Sequence, residues 1–87
     1  MKKIIVYGSK NCPDCQPMQD YLKNNNVDFI YLDITENMFF LKTFLKLRDT
    51  REEFNEIKAQ GYVGIPCVSV NDAEVLYFDK PDISELI

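Results

Sequence analysis

No histidine occurs among the 87 residues, which removes Cys-His and Ser-His nucleophile pairs and most catalytic zinc sites from consideration. A basic cluster is missing too. Ten Lys and Arg stand against 14 Asp and Glu, a net charge of −4, so the local cationic field that neutralises phosphates is absent and nucleic acid is not an expected partner. No apolar run approaches the ~20 residues of a membrane helix. Met1-Lys2-Lys3 leads into a short strand-like run without the apolar core, about 7–15 residues, of a secretory signal. The expectation is a cytoplasmic protein with no membrane partner. Cysteine is scarce and odd in number, at three, which does not suit a stapled secreted scaffold. In a reducing compartment it suits a working pair plus one. Internal repeats and Gly-, Pro- or Ser-rich linkers are also lacking, and a chain of this length reads as one domain, residues 1–87.

What is present is a soluble globular mixture, 46% hydrophobic and 28% charged, with enough apolar material for a small core. Its centre of interest is Ser9-Lys10-Asn11-Cys12-Pro13-Asp14-Cys15, which joins the apolar run Ile4-Ile5-Val6-Tyr7 to a segment of helical period. Two thiols with two residues between them at a strand-to-helix junction are the sequence form of a dithiol redox site. On the first turn of a helix, unpaired backbone N–H groups and the positive helix end favour a thiolate at the first sulfur. Asp14 between the thiols opposes that charge and repels an acidic partner face, while Lys10 supports it. A solvated first-turn acid is the equally weighted plain reading of Asp14.

Taken in order, residues 3–7 form a strand apolar enough for a sheet covered on both faces. Pro13 suits the first helical position, Pro17 implies a small kink, and Met18, Tyr21 and Leu22 supply the packing face. Asn24-Asn25-Asn26 stops the helix. Residues 27–33 make a second strand, parallel to the first. Thr35 or Asn37 caps a very apolar helix over 38–47, expected to lie largely against the domain with Phe39, Phe40 and Phe44 in the core. A break near Asp49 and a Thr50/Glu53 capping box open a further helical segment that ends at Gly61. Cys67 to Val70, the turn Asn71-Asp72 and Glu74 to Phe78 form an antiparallel hairpin, followed by a short helix from Pro81 to Leu86. The result is an α/β fold, a four-stranded mixed sheet with helices on both faces.

With Cys12-Pro13-Asp14-Cys15 and Gly64-Ile65-Pro66 in place, the chain resembles a glutaredoxin-like member of the thioredoxin-fold family over nearly its whole length. The first motif is close to the family's Cys-Pro-Tyr-Cys, and Ile65-Pro66 matches the dipeptide whose proline is cis in the family. The resemblance implies that Cys12 attacks, Cys15 resolves and Pro66 lies beside them. It further implies that the Ile65 backbone pairs with the bound thiol partner and that Lys10 is the basic residue before the active-site turn. Lys10, Pro13, Asp14, Ile65 and Pro66 thus form the substrate-binding set. The implied protein is a monomeric thiol–disulfide oxidoreductase acting on disulfide-containing proteins or small disulfides. It holds no tightly bound cofactor and draws electrons from glutathione or thioredoxin reductase. One departure bears on that choice. The glycine pair of glutathione-binding members falls, by hairpin register, at Leu76 and Tyr77, with Asp79 or Asp82 as substitutes for the family's acid.

Two other classes of function compete. A metal or iron–sulfur carrier would use Cys12 and Cys15, with or without Cys67, and protein residues fall short of a fourth ligand. A non-catalytic interaction module would use the apolar segment 38–48 as its surface. Cys67 itself reads either as buried filler or as a candidate third thiol beside the pair.

Overall fold

The computed structural model describes residues 2–87. Four strands, β1 (Ile4–Gly8), β2 (Ile30–Asp33), β3 (Cys67–Val70) and β4 (Val75–Tyr77), form one sheet in the order β2-β1-β3-β4. β1 runs parallel to β2 and antiparallel to β3, and β3 is antiparallel to β4. Helix α1 (Cys15–Asn24) joins β1 to β2. Helix α2 (Met38–Thr50), a 3₁₀ turn (Glu52–Phe54) and helix α3 (Asn55–Ala59) join β2 to β3. This is the mixed sheet with helices on both faces that the sequence predicts, and its topology is that of a thioredoxin fold.

Alternation along the strands divides the core in two. Ile4, Val6, Val68 and Val70 point to one face and pack with Met18 and Leu22 of α1, and with Val27 and Leu86. Tyr7, Cys67 and Leu76 point to the other, where Phe44 of α2 and Phe54 of the 3₁₀ turn cover them. Phe54 meets Phe44 edge-on at 5.7 Å and Phe78 at 4.8 Å. Each fully buried Phe contributes about 1.5–3 kcal/mol of transfer free energy, so this aromatic stack is the main support of the second layer.

Several local expectations are corrected. α1 begins at Cys15, with Asp14 as its N-cap residue, rather than at Pro13. Cys12 therefore lies in the turn before the helix. The later start also removes the reason to expect a kink at Pro17. Pro17 is the third helical residue, where a backbone N–H has no intrahelical acceptor anyway. β2 is shorter than residues 27–33, because Asn26 takes a positive φ of 59° and the Val27 N–H bonds back to Leu22. Asn37 caps α2 through its side chain, 2.8 Å from the Phe39 N–H. The Thr50/Glu53 capping box does not form. Thr50 Oγ1 donates to Lys46 O, and Glu53 pairs with Arg51 at 2.6 Å. Only Phe44 of the three aromatics is fully buried, and Phe39 is 71% exposed. The last helix is a single 3₁₀ turn, Ile83–Glu85, capped by Asp82.

Candidate functional site

β1 delivers the chain to its carboxyl end at Gly8, and the turn 9–14 is then pinned from β2. Asp33, the last residue of β2, accepts the Lys10 N–H at 3.0 Å through one carboxylate oxygen. Through the other it accepts the Thr35 N–H at 2.8 Å and the Thr35 hydroxyl at 2.5 Å. Thr35 Oγ1 in turn lies 3.0 Å from the buried Ser9 hydroxyl, which accepts the Asn11 N–H at 3.1 Å. Desolvation would raise the Asp33 carboxyl, but the bonds from Thr35 and Lys10 prevail and hold it below the usual carboxylate range. This network fixes where the turn places Cys12.

Cys12 is half-buried and Cys15 is buried, and all three cysteines are free thiols. The Cys12 thiol points at the Ile65 carbonyl, 3.9 Å away, across from the cis Ile65–Pro66 bond. Behind it, burial pushes the Cys15 thiol up to about 12. A hydrogen bond to Cys12 and negative charge at Cys12 and Asp14 act in the same direction, opposed by a hydrogen bond from the Ser9 backbone. The packing is close enough that a Cβ on Gly8 would stand 3.1 Å from Cys15 Sγ and 2.8 Å from the Tyr31 hydroxyl. Tyr31 thus shares the space behind the pair. Its phenol is raised to about 12, first by burial and then by negative charge at Cys15 and Asp33.

The remaining sequence-derived site residues divide. Pro13 and Asp14 are exposed at the mouth of the site, Ile65 faces Cys12 from the loop before β3, and Pro66 is buried behind it, lining a smaller cleft with Asp14. Gly64 precedes them with φ +102°, and a Cβ there would meet the Phe54 ring at 2.9 Å. The loop therefore sits directly on the aromatic stack, and only glycine allows it. Lys10 is near the site, but its ammonium pairs with Glu36 at 2.9 Å, which raises it above its ordinary value. Cys67 is not brought to the pair. It stands opposite Tyr7, on the α2/α3 face of the sheet, while Cys15 lies on the α1 side behind Gly8. Burial pushes its thiol up to about 12, and Arg51 and Glu53 are the charges it senses. Among the described residues, no group of three or more His, Cys, Asp or Glu side chains is placed to hold a metal ion. Among the same residues, no helix is long and apolar enough to cross a membrane.

At the hairpin, Leu76 and Tyr77 are strand residues of β4. Asp82 is committed to the Ser84 N–H, and Asp79 accepts the Lys80 N–H at 2.9 Å. Cys12 opens into a groove of about 1130 Å³ between the 9–14 turn, the start of α2 and the 62–65 loop. Its walls are largely apolar, with Ile34, Met38, Leu41, Tyr62, Val63 and Ile65 in the lining. Arg48 holds the loop side of this groove, donating to Val63 O at 2.9 Å and Tyr62 O at 2.7 Å. Asp33, Thr35 and Tyr31 were not singled out as site residues from the sequence. The one local signal was Gly8, a glycine ending an otherwise bulky strand, which marks a close approach by something across the sheet.

A glutaredoxin family model matches residues 4–75. An uncharacterized protein of Haemophilus influenzae is 35% identical over 86 residues, covering 99% of this chain and 95% of that protein. An uncharacterized glutaredoxin-like 8.6 kDa protein in the rubredoxin operon of Clostridium pasteurianum is 27% identical over 84 residues, covering 97% and 96%. Among solved structures, the glutaredoxin of Archaeoglobus fulgidus superposes with a TM-score of 0.62 at 26% identity, over 99% of this chain and 86% of that one. A thioredoxin-like protein crystallised in mutant form gives a TM-score of 0.67 at 24% identity over 97% of both chains, a likeness of fold.

Proposed function

Since the chain belongs to the glutaredoxin family, we propose that it is a thiol–disulfide oxidoreductase that reduces protein or low-molecular-weight disulfides through Cys12 and Cys15. The observation that carries this reading is an accessible Cys12, aimed at the Ile65 carbonyl beside the cis bond, with the buried Cys15 two residues beyond it. In the first step the Cys12 thiolate attacks one sulfur of the substrate disulfide. A Cys12–substrate disulfide forms, and the other substrate sulfur leaves as a thiolate that takes a proton from water. In the second step Cys15 loses its proton and attacks the Cys12 sulfur. The Cys12–Cys15 disulfide forms and the second substrate thiol is released. The protein has lost two electrons and the substrate has gained them. Glutathione or thioredoxin reductase then returns the electrons.

Burial is the main cause that holds the proton on Cys15, and negative charge at Cys12 adds to it. That charge is gone once Cys12 is in a mixed disulfide, which favours attack by Cys15 after the first step, while burial still opposes its ionisation. Ile65, facing Cys12 next to the cis bond, offers backbone groups to an extended substrate in the manner of strand addition.

The test is an NADPH-coupled assay with hydroxyethyl disulfide, fed either by glutathione and glutathione reductase or by thioredoxin reductase. Cys12→Ser is expected to abolish turnover. Cys15→Ser is expected to keep activity only in the glutathione-fed arm and to accumulate the mixed disulfide. Turnover that survives Cys12→Ser refutes the reading.

A further inference from the structure

The groove beside Cys12 is larger than the disulfide chemistry alone requires. Its volume, about 1130 Å³, lies above the ~300–1,000 Å³ typical of pockets for drug-sized ligands. It is long on apolar side chains, and two residues at its α2 and loop walls are unusually open: Met38 is 68% exposed and Tyr62 62%. Apolar side chains left this accessible around a reactive sulfur gain their burial from what binds there. The charges in the lining are carboxylates, Asp14 and Glu36, with no Lys or Arg among the lining residues. Glu36 is neutralised by Lys10, which leaves Asp14 as the charge facing an incoming ligand. Lys10 itself is not among the lining residues. A small anionic disulfide such as that of glutathione finds no free cation in this groove and meets Asp14 at its mouth.

We propose that the groove docks an extended polypeptide segment of a disulfide-bearing protein, with apolar side chains flanking the cystine and a lysine or arginine placed against Asp14. The proposal rests on the oxidoreductase reading above and names its substrate class. The electrons pass as described there, from the two thiols of Cys12 and Cys15 to the two sulfurs of the bound cystine, which leaves as two thiols. Apolar contact along Met38, Leu41 and Tyr62 supplies affinity, and the charge at Asp14 selects among partners.

The experiment measures second-order rates at which reduced full-length protein cleaves a set of synthetic disulfides. Three are peptides with Leu and Phe flanking one cysteine, joined to 2-mercaptoethanol, with Lys, Gln or Glu next to the cysteine. A fourth replaces the apolar flank with serine. Hydroxyethyl disulfide and glutathione disulfide complete the set. Each rate is divided by the rate with dithiothreitol, which removes the effect of flanking charge on the leaving thiol. The expected order is Lys over Gln over Glu, with a Lys/Glu ratio of about three- to tenfold at low salt, as for a single partly exposed charge contact. That ratio is expected to collapse toward one in Asp14→Asn and at high salt. The apolar Lys peptide is expected to exceed its serine analogue and glutathione disulfide by about tenfold, roughly one buried aliphatic contact. Met38→Glu is expected to lower the ratio of peptide rate to hydroxyethyl disulfide rate. Normalised rates that agree within about twofold across the set, or glutathione disulfide reacting as fast as the Lys peptide, overturn the proposal. Failure to cleave even hydroxyethyl disulfide overturns the oxidoreductase reading instead, and the proposal with it.

Discussion

Replacing Gly8 by alanine places one methyl group at a tight point behind Cys12 and Cys15. The backbone accepts it, since Gly8 is not among the residues of positive φ. Space does not. The new Cβ would stand 2.8 Å from the Tyr31 hydroxyl, 2.9 Å from a ring carbon of the same tyrosine and 3.1 Å from Cys15 Sγ. Overpacking of this kind costs about 1–3 kcal/mol. Against it, alanine restricts the unfolded chain and returns about 0.4–1 kcal/mol. The net expectation is a loss of about 0.5–2 kcal/mol, or roughly 4–8 °C of Tm for each kcal/mol in a chain of this size. Because two of the three contacts belong to Tyr31, the loss is expected to depend on that ring. In a Tyr31→Val background the same methyl meets only Cys15 Sγ and needs a shift of a few tenths of an ångström. There Gly8→Ala is expected to be neutral or slightly stabilising. The coupling between the two sites is therefore about 1–2 kcal/mol. Urea denaturation of the four proteins under reducing conditions measures it. A loss on Gly8→Ala that is the same in both backgrounds refutes the assignment of the close approach to Tyr31.

Asn37→Ala removes the side chain that caps α2 and is expected to cost about 1 kcal/mol, read as a lower urea midpoint with unchanged slope. Asp33→Ala leaves three exposed donors, the Lys10 and Thr35 N–H groups and the Thr35 hydroxyl, to water. A loss of about 0.5–1.5 kcal/mol is expected, with faster amide exchange at Lys10 and Thr35. The folded Asp33 carboxyl is held below its unfolded value. Its contribution is thus present above the unfolded pKa and fades as pH falls below about 4, so the variant should show a shallower acid limb. At the alkaline end the sign reverses. Burial raises Cys67 from 9.0 to about 12, while the unfolded thiol releases its proton near the lower value. The reduced protein is therefore at full strength below pH 9 and loses stability as pH climbs toward 12, by at most ~1.4 kcal/mol per pH unit for each such group. Cys15, Tyr7 and Tyr31 are raised likewise. Urea midpoints at pH 8, 9 and 10 should fall, and should fall less steeply in Cys67→Ala. A flat profile in the wild type contradicts the burial of these groups.

The pieces legible from sequence were those where one local pattern decides. The run Ile4 to Tyr7, the asparagine stop after α1 and the Asn37 cap each follow from residue types within a few positions. Cys12-Pro13-Asp14-Cys15 and Ile65-Pro66 could be matched to each other only through the family resemblance, since 53 residues separate Cys12 from Ile65. The helix start went astray because the proline rule at the first helical position competes here with a turn held by Cys12 O, Ser9 and Asp33. The first turn of α2, Met38 through Leu41, is apolar all round and names no inward face. Hence the exposure of Phe39 and Met38 was hidden. Thr50 and Glu53 satisfy a capping pattern, yet the guanidinium of Arg51 takes Glu53 and the Ala73 carbonyl and so redirects the chain between α2 and α3. The Asp33-Thr35-Ser9 network depends on β1 and β2 lying side by side, which short-range patterns do not encode.

The placement of Cys67 under Phe44 and Phe54, with the sheet between it and Cys15, gives the molecule a built-in clock. Cys12 is reached by an alkylating reagent at once, but Cys67 only when the aromatic layer lifts. With reagent in excess, its labelling rate is the opening equilibrium of that layer multiplied by the rate for a free thiol. Cys67 thus reports how often one half of the fold comes apart while the other half still holds.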